Sequence, residues 1–212
     1  MSAREEVLAR VRRALADVPA TEQLDAVDVP REYAEHDPGA TYERFVERVS
    51  DYGAGVTVVG PDEVASAIDR VCRAADVHRV VVPADLPGEW LPTDVEAVVD
   101  DGPGVGILDE IGAAVTGCAF AIAETGTLVF DSGAKQGRRA LTLVPDFHLC
   151  VVEEVEVVDG VVAAMRRLAP DLRGERRPVT FVSGPSATSD IELSRVEGVH
   201  GPRRLELVLV RG

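Results

Sequence analysis

From Gly55 onward the chain alternates short runs of valine, isoleucine and leucine with segments of helical periodicity. The runs contain few polar residues, which is typical of strands that are buried on both faces of a sheet. Helices are predicted after the first run, from Gly60, and over residues 160–168. The pattern predicts an α/β fold with a mostly parallel sheet that is covered on both faces. The predicted strands are 56–59, 80–82, 95–99, 113–116, 119–123, 127–130, 149–152 with an extension to 158, 179–182 and 205–210.

Two helices are predicted before the first strand. The first covers residues 2–17 and begins with a serine and a glutamate spaced as in a capping box. The second covers residues 41–52 and stops at a glycine. Because both precede the strand–helix alternation, we expect residues 1–52 to form an N-terminal helical arm and residues 53–212 to form the α/β domain.

The charge of the chain argues against two classes of partner. The formal net charge is −15, which repels nucleic-acid phosphates and anionic lipid surfaces, so no nucleic-acid partner is expected. Lysine occurs only at Lys135, and arginine supplies the other basic residues. Because excess carboxylates keep a protein hydrated in concentrated salt, this acidic composition favours a halophilic origin.

The cysteines indicate no metal or cluster site in this chain. Cys72, Cys118 and Cys150 are widely spaced in apolar surroundings, and there is no CxxC motif. Buried free thiols in a reducing compartment are the expectation, with neither a zinc site nor an iron–sulfur cluster. The N-terminus reads as a charged amphipathic segment, and no apolar run approaches the roughly 18 residues of a membrane span. A soluble, cytoplasmic protein is therefore predicted, without membrane insertion.

The first candidate site is Glu124-Thr125-Gly126-Thr127, which follows a buried run. A carboxylate at the end of such a strand is expected near the ligand-binding edge of the sheet, where it can act as a nucleophile, as a general base or as an acceptor for substrate hydroxyls. The alternative is structural: Glu124 accepts hydrogen bonds from backbone amides, and Gly126 permits a tight bend.

The second candidate site is the hydroxyl-rich stretch that follows the strand 179–182. Hydroxyl groups and free amides after a strand suit a small anion such as a carboxylate or phosphate. The alternative is an ordinary helix cap and turn without a ligand. Two carboxylates further along would oppose an anion, and they could instead bind substrate hydroxyls or a cation, or pair with Arg195. The candidate residues are Ser183, Gly184, Ser186, Thr188, Asp190 and Glu192.

Histidines supply the remaining candidates. His200 is followed by Gly201 in a glycine-flanked loop and could shuttle protons near neutral pH, although a lone loop histidine is often structural. His148 precedes a strand and could face the same cleft. The basic patch 135–139 could attract an anionic substrate or pair with surface acids. Neither GxGxxG after a strand nor GxxxxGK[ST] is present, so a dinucleotide fingerprint and a P-loop are not expected.

Several of these segments together resemble the lactate-utilisation (LUD) domain family, and the likeness spans nearly the whole chain. The segments are the opening helix 4–15, Ala121–Thr127, Ser183–Ser186 with Asp190–Glu192, and Gly198–Pro202. The resemblance implies a Rossmann-like fold of the phosphosugar-isomerase and CoA-transferase-like (NagB/RpiA-like) type. It also implies a role in oxidising L-lactate to pyruvate, beside two partner proteins whose iron–sulfur clusters carry the electrons.

Three functional hypotheses remain open from the sequence. The first is the non-cluster subunit of such a lactate-oxidising system, which binds a small carboxylate such as lactate or organises its partners. In it, the turn 183–188 holds the carboxylate, and Glu124 or His200 accepts the hydroxyl proton. The second is a stand-alone transferase or isomerase with Glu124 as carboxylate nucleophile. The third is a metabolite-sensing scaffold. In each case no cofactor is encoded in this chain, and no metal ligands are predicted.

Overall fold

The structure is a computed structural model, and it describes residues 2–19, 41–102, 104, 106–173, 177–189, 195–198 and 200–212. It contains two compact units, residues 1–34 and residues 35–212. The first unit contains helix α1 (Ala3–Ala14). The Ser2 hydroxyl accepts a hydrogen bond from the Glu5 amide, and the Glu5 carboxylate accepts one from the Ser2 amide. The predicted capping box is therefore confirmed.

Every strand among the described residues lies in the second unit. Its helices are α2 (Thr41–Asp51), α3 (Val64–Ala74), α4 (Gly106–Ile111) and α5 (Val161–Arg173). Its strands are β1 (Gly55–Val59), β2 (Arg79–Val82), β3 (Glu96–Val99), β4 (Ala113–Thr116), β5 (Phe120–Ile122), β6 (Thr127–Phe130), β7 (Phe147–Glu153), β8 (Val157–Val158), β9 (Thr180–Val182), β10 (Ala187–Ser189), β11 (Arg195–Glu197) and β12 (Arg204–Val210).

Six strands form the central sheet in the order β1-β12-β7-β4-β2-β3, and every neighbouring pair is parallel. The predicted α/β fold with a mostly parallel sheet is thereby confirmed. Alternate residues of β7 face opposite sides, as the pleat requires. Leu149 and Val151 pack in the core that α3 covers, whereas Cys150 and Val152 pack in a second core on the other face.

A second sheet, in the order β8-β5-β6-β9, separates three of the predicted strands, and the extension of a fourth, from the central one. Its β5–β6 and β6–β9 pairs are antiparallel, and only β5–β8 is parallel. The sequence predicted one sheet for all the apolar runs, and this expectation was wrong. The cause is the tight turn after β5, where Gly126 adopts φ 58° and returns the chain as a hairpin. Helix α5 covers the outer face of this sheet with Ala164 and Leu168.

Helix α2 belongs to the packing of the α/β unit. Phe45 and Val49 are fully buried between the second sheet and β12, in the core that also contains Leu128 and Leu207. The predicted domain boundary after residue 52 stays a prediction. Helix α4 and the β10–β11 hairpin were not predicted, because neither carries a run of apolar residues long enough to stand out. Within the described residues, no helix is long and apolar enough to cross a membrane.

Candidate functional site

The first two candidate segments meet through a line of hydroxyl groups. The Thr125 and Thr127 hydroxyl oxygens are 2.7 Å apart, and Thr127 lies 2.7 Å from the Ser183 hydroxyl oxygen. Thr127 is buried, Thr125 is half-buried and Ser183 is exposed. The line therefore runs from the hairpin turn of the second sheet to the surface beside β9.

Two glycines of these segments contact the last part of α2 and the residue after it. A Cβ at Gly126 would lie 2.7 Å from the Arg48 carbonyl carbon, and a Cβ at Gly184 would lie 2.5 Å from the Tyr52 Cβ. Both glycines have positive φ, 58° and 84°. Because glycine has no side chain, both turns can approach this part of the chain. This contact is a structural reason for glycine at both positions.

Glu124 lies beside the start of α5. Its Oε2 accepts the Val161 amide at 3.3 Å, and its own amide donates to the Asp159 carbonyl oxygen at 2.9 Å. A carboxylate at a helix N-terminus satisfies a free amide and interacts favourably with the helix dipole. This geometry favours the structural alternative for Glu124, although the carboxylate is only half-buried.

The third segment folds over Ser186. The Ser186 hydroxyl accepts the His200 amide at 3.2 Å, and the Ser186 amide donates to the Pro202 carbonyl oxygen at 2.7 Å. Gly201 lies close by, since its Cβ position is 3.6 Å from the Ser186 Cβ. The side chain of His200 is exposed. Ser186, His200 and Gly201 are therefore together.

The three segments meet on the amino-terminal side of the central sheet, rather than at its carboxyl edge. Pro202 comes just before β12 begins, and Tyr52, which contacts Gly184, comes just before β1. Thr188 lies in β10, opposite Val196. Asp190 and Glu192 lie outside the described residues. The sequence expectation of a carboxylate near the ligand-binding edge fails because the first segment belongs to a hairpin of the second sheet.

His148 is buried in the core. It is the second residue of β7, 1% exposed, and its Nε2 lies 2.8 Å from the Thr116 hydroxyl oxygen. Its ring centroid is 5.6 Å from that of Phe130. Burial lowers the pKa of His148 to about 4, so the ring is neutral at pH 7. This burial places His148 in the protein interior, away from any open cleft.

Replacing His148 with asparagine is expected to flatten the pH dependence of stability. An unfolded histidine has a pKa of about 6.5, so the lower folded pKa favours folding above pH 6.5 and costs stability as the pH falls towards 4. Between pH 7 and pH 5 the free energy of unfolding, measured by urea denaturation, should fall by roughly 2 kcal/mol more in wild type than in His148→Asn. Other titrating groups are common to both proteins, and equal losses would contradict the prediction.

The carboxyl edge of the central sheet carries a different charged group. Lys135 Nζ lies 2.8 Å from a carboxylate oxygen of Glu153 and 2.8 Å from one of Glu156, and 5.1 Å from the centroid of the Trp90 ring. Burial alone would lower the pKa of Lys135, but its hydrogen bonds to the two glutamates outweigh this and raise it. Lys135 is therefore a fixed positive charge rather than a nucleophile. The sequence had marked this residue only as part of a basic patch.

The backbone around Lys135 is strained and firmly held. Lys135 has φ 66° and Ser132 has φ 57°, values that side-chain-bearing residues rarely adopt. The Lys135 amide donates to the Asp85 carboxylate at 2.9 Å, and its carbonyl oxygen accepts the Gly117 amide at 2.7 Å. Such conformations persist where the surroundings enforce them, often at functional sites. The residues 131–138 therefore form a preorganised loop at the carboxyl edge.

Two cavities lie at this edge of the sheet, and the loop lines the first of them. One has a volume of about 280 Å³ and is lined by Cys118, Ala119, Phe120, Asp131, Gly133, Ala134, Lys135, Gln136, Glu156, Arg167, Leu168 and Arg177. The other has a volume of about 500 Å³ and is lined by Pro61, Asp62, Glu89, Trp90, Glu153, Glu154, Val155, Val210 and Gly212. Among the described residues that line them, neither cavity includes Glu124, Ser186 or His200.

Two of the three thiols have raised pKa values, which makes them poor nucleophiles. Burial raises the pKa of Cys72 to about 12, with a further contribution from Asp69. A hydrogen bond with Cys150, together with burial, raises the pKa of Cys118 well above its ordinary value. All three cysteines are free and buried, as predicted. In the part of the chain that the structure describes, no three His, Cys, Asp or Glu side chains form a group able to hold a metal ion.

The fold and these sites define a class: α/β proteins with a parallel six-stranded sheet that carries a second, mixed sheet on one face and a preorganised loop at its carboxyl edge. Comparison with known proteins gives the family. The LUD domain model matches residues 107–210. This chain belongs to the LUD domain family.

Named relatives and a solved structure support the assignment. Lactate utilization protein C of Deinococcus radiodurans is 44% identical over 206 residues, which are 97% of this chain and 94% of the relative. Lactate utilization protein C of Halalkalibacterium halodurans is 30% identical over 161 residues, 70% of each chain. A crystal structure of a DUF162 family protein from Deinococcus radiodurans superposes with a TM-score of 0.71 at 38% identity, covering 84% of this chain and 100% of that one.

Proposed function

We propose that this chain is the non-cluster component of an iron–sulfur system that oxidises L-lactate to pyruvate. The observation that carries the proposal is the 44% identity to a lactate utilization protein C over 97% of the chain. The iron–sulfur clusters belong to partner proteins and take the electrons, because no cluster-spaced cysteines occur in this sequence. The component binds a small hydroxy acid or organises its partners.

In this proposal the line of hydroxyls holds the substrate carboxylate. Ser183 is exposed, and its hydroxyl hydrogen can turn from Thr127 towards a bound anion. The Thr127 hydroxyl still has a hydrogen-bond partner when this happens, because it can donate to the Thr125 carbonyl oxygen 3.3 Å away. An ionised acceptor strengthens each such hydrogen bond, to about 1.5–3 kcal/mol. The site can therefore change partners without leaving a buried hydroxyl unsatisfied.

His200 is the proposed acceptor of the hydroxyl proton. Its side chain is exposed, and its amide is anchored on Ser186, three residues after Ser183. Glu124 is the second proposed proton acceptor, since its carboxylate is only half-buried. The other residues proposed to line the hydroxy-acid site are Thr125, Gly126, Gly184, Ser186, Thr188, Asp190, Glu192 and Gly201.

The proposal extends to the surroundings in which the protein works. We assign the fold to the NagB/RpiA-like type with an N-terminal helical arm, and we place the protein in the cytoplasm, where the partners would be reduced. The net charge of −15 supports a halophilic setting, because carboxylates retain water when salt is concentrated.

The test is lactate oxidation by the full chain reconstituted with its iron–sulfur partners. We expect no oxidation by this chain alone, and we expect Ser186→Ala and Glu124→Gln each to lower the rate of the complete system at least about tenfold, the effect of losing one charge-assisted hydrogen bond. Ser50→Ala is the matched control, since Ser50 is exposed on α2. Thermal unfolding shows whether each variant is folded. Unchanged rates in both folded variants would refute the site, and lactate oxidation by the isolated chain would refute the assigned role.

A further inference from the structure

The end of helix α2 lies against both ends of the hydroxyl line, which is the chain of hydroxyl groups of Thr125, Thr127 and Ser183. At the threonine end, the Cβ position of Gly126 is 2.9 Å from the Cβ of Arg48. At the serine end, the Cβ position of Gly184 is 2.5 Å from the Cβ of Tyr52. Arg48 and Tyr52 are about one helical turn apart. The stem of the Arg48 side chain therefore begins directly beside the hydroxyl line.

The guanidinium of Arg48 has no close partner in the part of the chain that the structure describes. Its single ion pair there is with Asp51, at 3.9 Å between Nη1 and Oδ2, which is too long for a hydrogen bond. The two side chains are 49% and 64% exposed, and an exposed pair of this kind contributes only about 0–1 kcal/mol. The N–H donors of Arg48 can therefore turn to another acceptor at little cost.

The nearby charged groups on α2 and before α5 already have close partners. Arg44, one turn before Arg48 in α2, pairs with Asp159 at 3.2 Å, and these two side chains are only 27% and 23% exposed. The Glu124 carboxylate accepts the Val161 amide at the start of α5. Of the two arginines of α2, Arg48 is therefore the one whose charge is not committed to a fixed contact.

The hydroxyl line and Arg48 offer complementary contacts to a carboxylate. Ser183 has the exposed hydroxyl of the line, and the guanidinium of Arg48 is carried on a flexible stem. A carboxylate accepts several hydrogen bonds at once, so it can bind a hydroxyl and a guanidinium together. Hydroxyls alone discriminate poorly between a carboxylate and a neutral amide, because the oxygens of both groups accept hydrogen bonds. A cation favours the carboxylate through its charge.

We propose that Arg48 determines the specificity of the hydroxyl site for a carboxylate: its guanidinium binds the carboxylate of the substrate beside the Ser183 hydroxyl. The choice of ligand rests on the proposed function, because that proposal puts a hydroxy acid on the hydroxyl line. Arg48 adds the charge that separates hydroxy acids from their neutral analogues. It binds the substrate and takes no part in the transfer of the proton or of the electrons.

Isothermal titration calorimetry of the full chain tests the proposal with two probes, L-lactate and its neutral amide, L-lactamide. We expect wild type to bind L-lactate at least about tenfold more tightly than L-lactamide. Arg48→Gln should weaken the binding of L-lactate roughly 10- to 100-fold, which is the range for one charge-assisted hydrogen bond, and that of L-lactamide about twofold at most. Arg70→Gln is the matched control, because Arg70 is an exposed arginine of α3 that donates to Ser66 on the same helix.

The ratio of the two dissociation constants is the readout, because a purely structural role of Arg48 would weaken the binding of both probes alike. A preference for L-lactate that is lost in Arg48→Gln and kept in Arg70→Gln supports the role of Arg48, even if the reconstituted system oxidises no lactate. An unchanged preference in Arg48→Gln, or equal weakening of both probes, overturns that role, and the proposed function still stands if Ser186→Ala slows lactate oxidation. Wild type that binds neither probe, or binds both equally, also overturns it.

Discussion

Substituting Asp69 with alanine will destabilise the fold by about 3–4 kcal/mol, since it removes the acceptor of four hydrogen bonds at once. Asp69 is a carboxylate on α3 that is only 4% exposed. It accepts the amides of Thr93, Asp94 and Val95 at 3.0–3.2 Å and the Thr93 hydroxyl at 3.0 Å. These bonds tie α3 to the segment that leads into β3. Urea denaturation at pH 7 measures the loss.

The pH dependence identifies the carboxylate as the cause. Burial by itself raises the pKa of Asp69, but the four hydrogen bonds outweigh it and hold the pKa below its ordinary value. A lowered folded pKa contributes stability above the unfolded value of about 3.9, and that contribution is lost as the pH falls through the folded pKa. Asp69→Asn keeps one acceptor oxygen and does not titrate. Its deficit relative to wild type should therefore shrink below pH 4; a deficit that stays constant, or an alanine variant within 1 kcal/mol of wild type, would contradict this account.

Gly126→Ala should destabilise the protein by about 2–4 kcal/mol. Two costs combine, because a side chain is strained at φ 58° and the new Cβ would lie 2.7 Å from the backbone of Arg48 and of Val49. Backbone atoms inside a helix cannot move aside without shifting α2, whose Val49 is fully buried in the core. Chemical denaturation of the variant and of wild type gives the difference.

Gly53→Ala is the matched control for this prediction. Gly53 has φ 87°, so alanine is strained there as well, but nothing lies within 4 Å of its Cβ position. The control should cost only the conformational part, about 1–2 kcal/mol. If both variants lost the same stability, the close approach of the hairpin turn to α2 would add nothing to the cost of Gly126→Ala, which would contradict the prediction.

The individual strands could be predicted because valine runs stand out from their turns, but their division between two sheets could not. The run 120–123 and the run 80–82 are both apolar and both buried throughout. What differs is the partner: Ala121 pairs with Leu128 in a hairpin, whereas Val81 pairs with Ala114 in the parallel sheet. Partner choice depends on tertiary contacts that periodicity does not record.

The candidate site shows the same limit. The sequence correctly singled out hydroxyl segments that lie together, as the contact between Thr127 and Ser183 demonstrates. Their side of the sheet was predicted wrongly, because a glycine turn after a strand looks alike in a hairpin and in a βα unit. Lys135 carried one signal, as the single lysine of the chain, but its strained backbone and its two glutamate partners are products of the fold.

The position of β12 has a consequence for how the protein is made. β1 joins the central sheet only through β12, so Gly55 pairs with Glu206 and Val59 with Val210. While the ribosome is still translating the segment that becomes β12, the nascent β1 has no neighbour and its valines remain open to misassociation. Closure of the sheet at β1 must wait until that later segment has emerged from the exit tunnel, so synthesis of β12, rather than formation of the early helices, is the step that lets β1 pair.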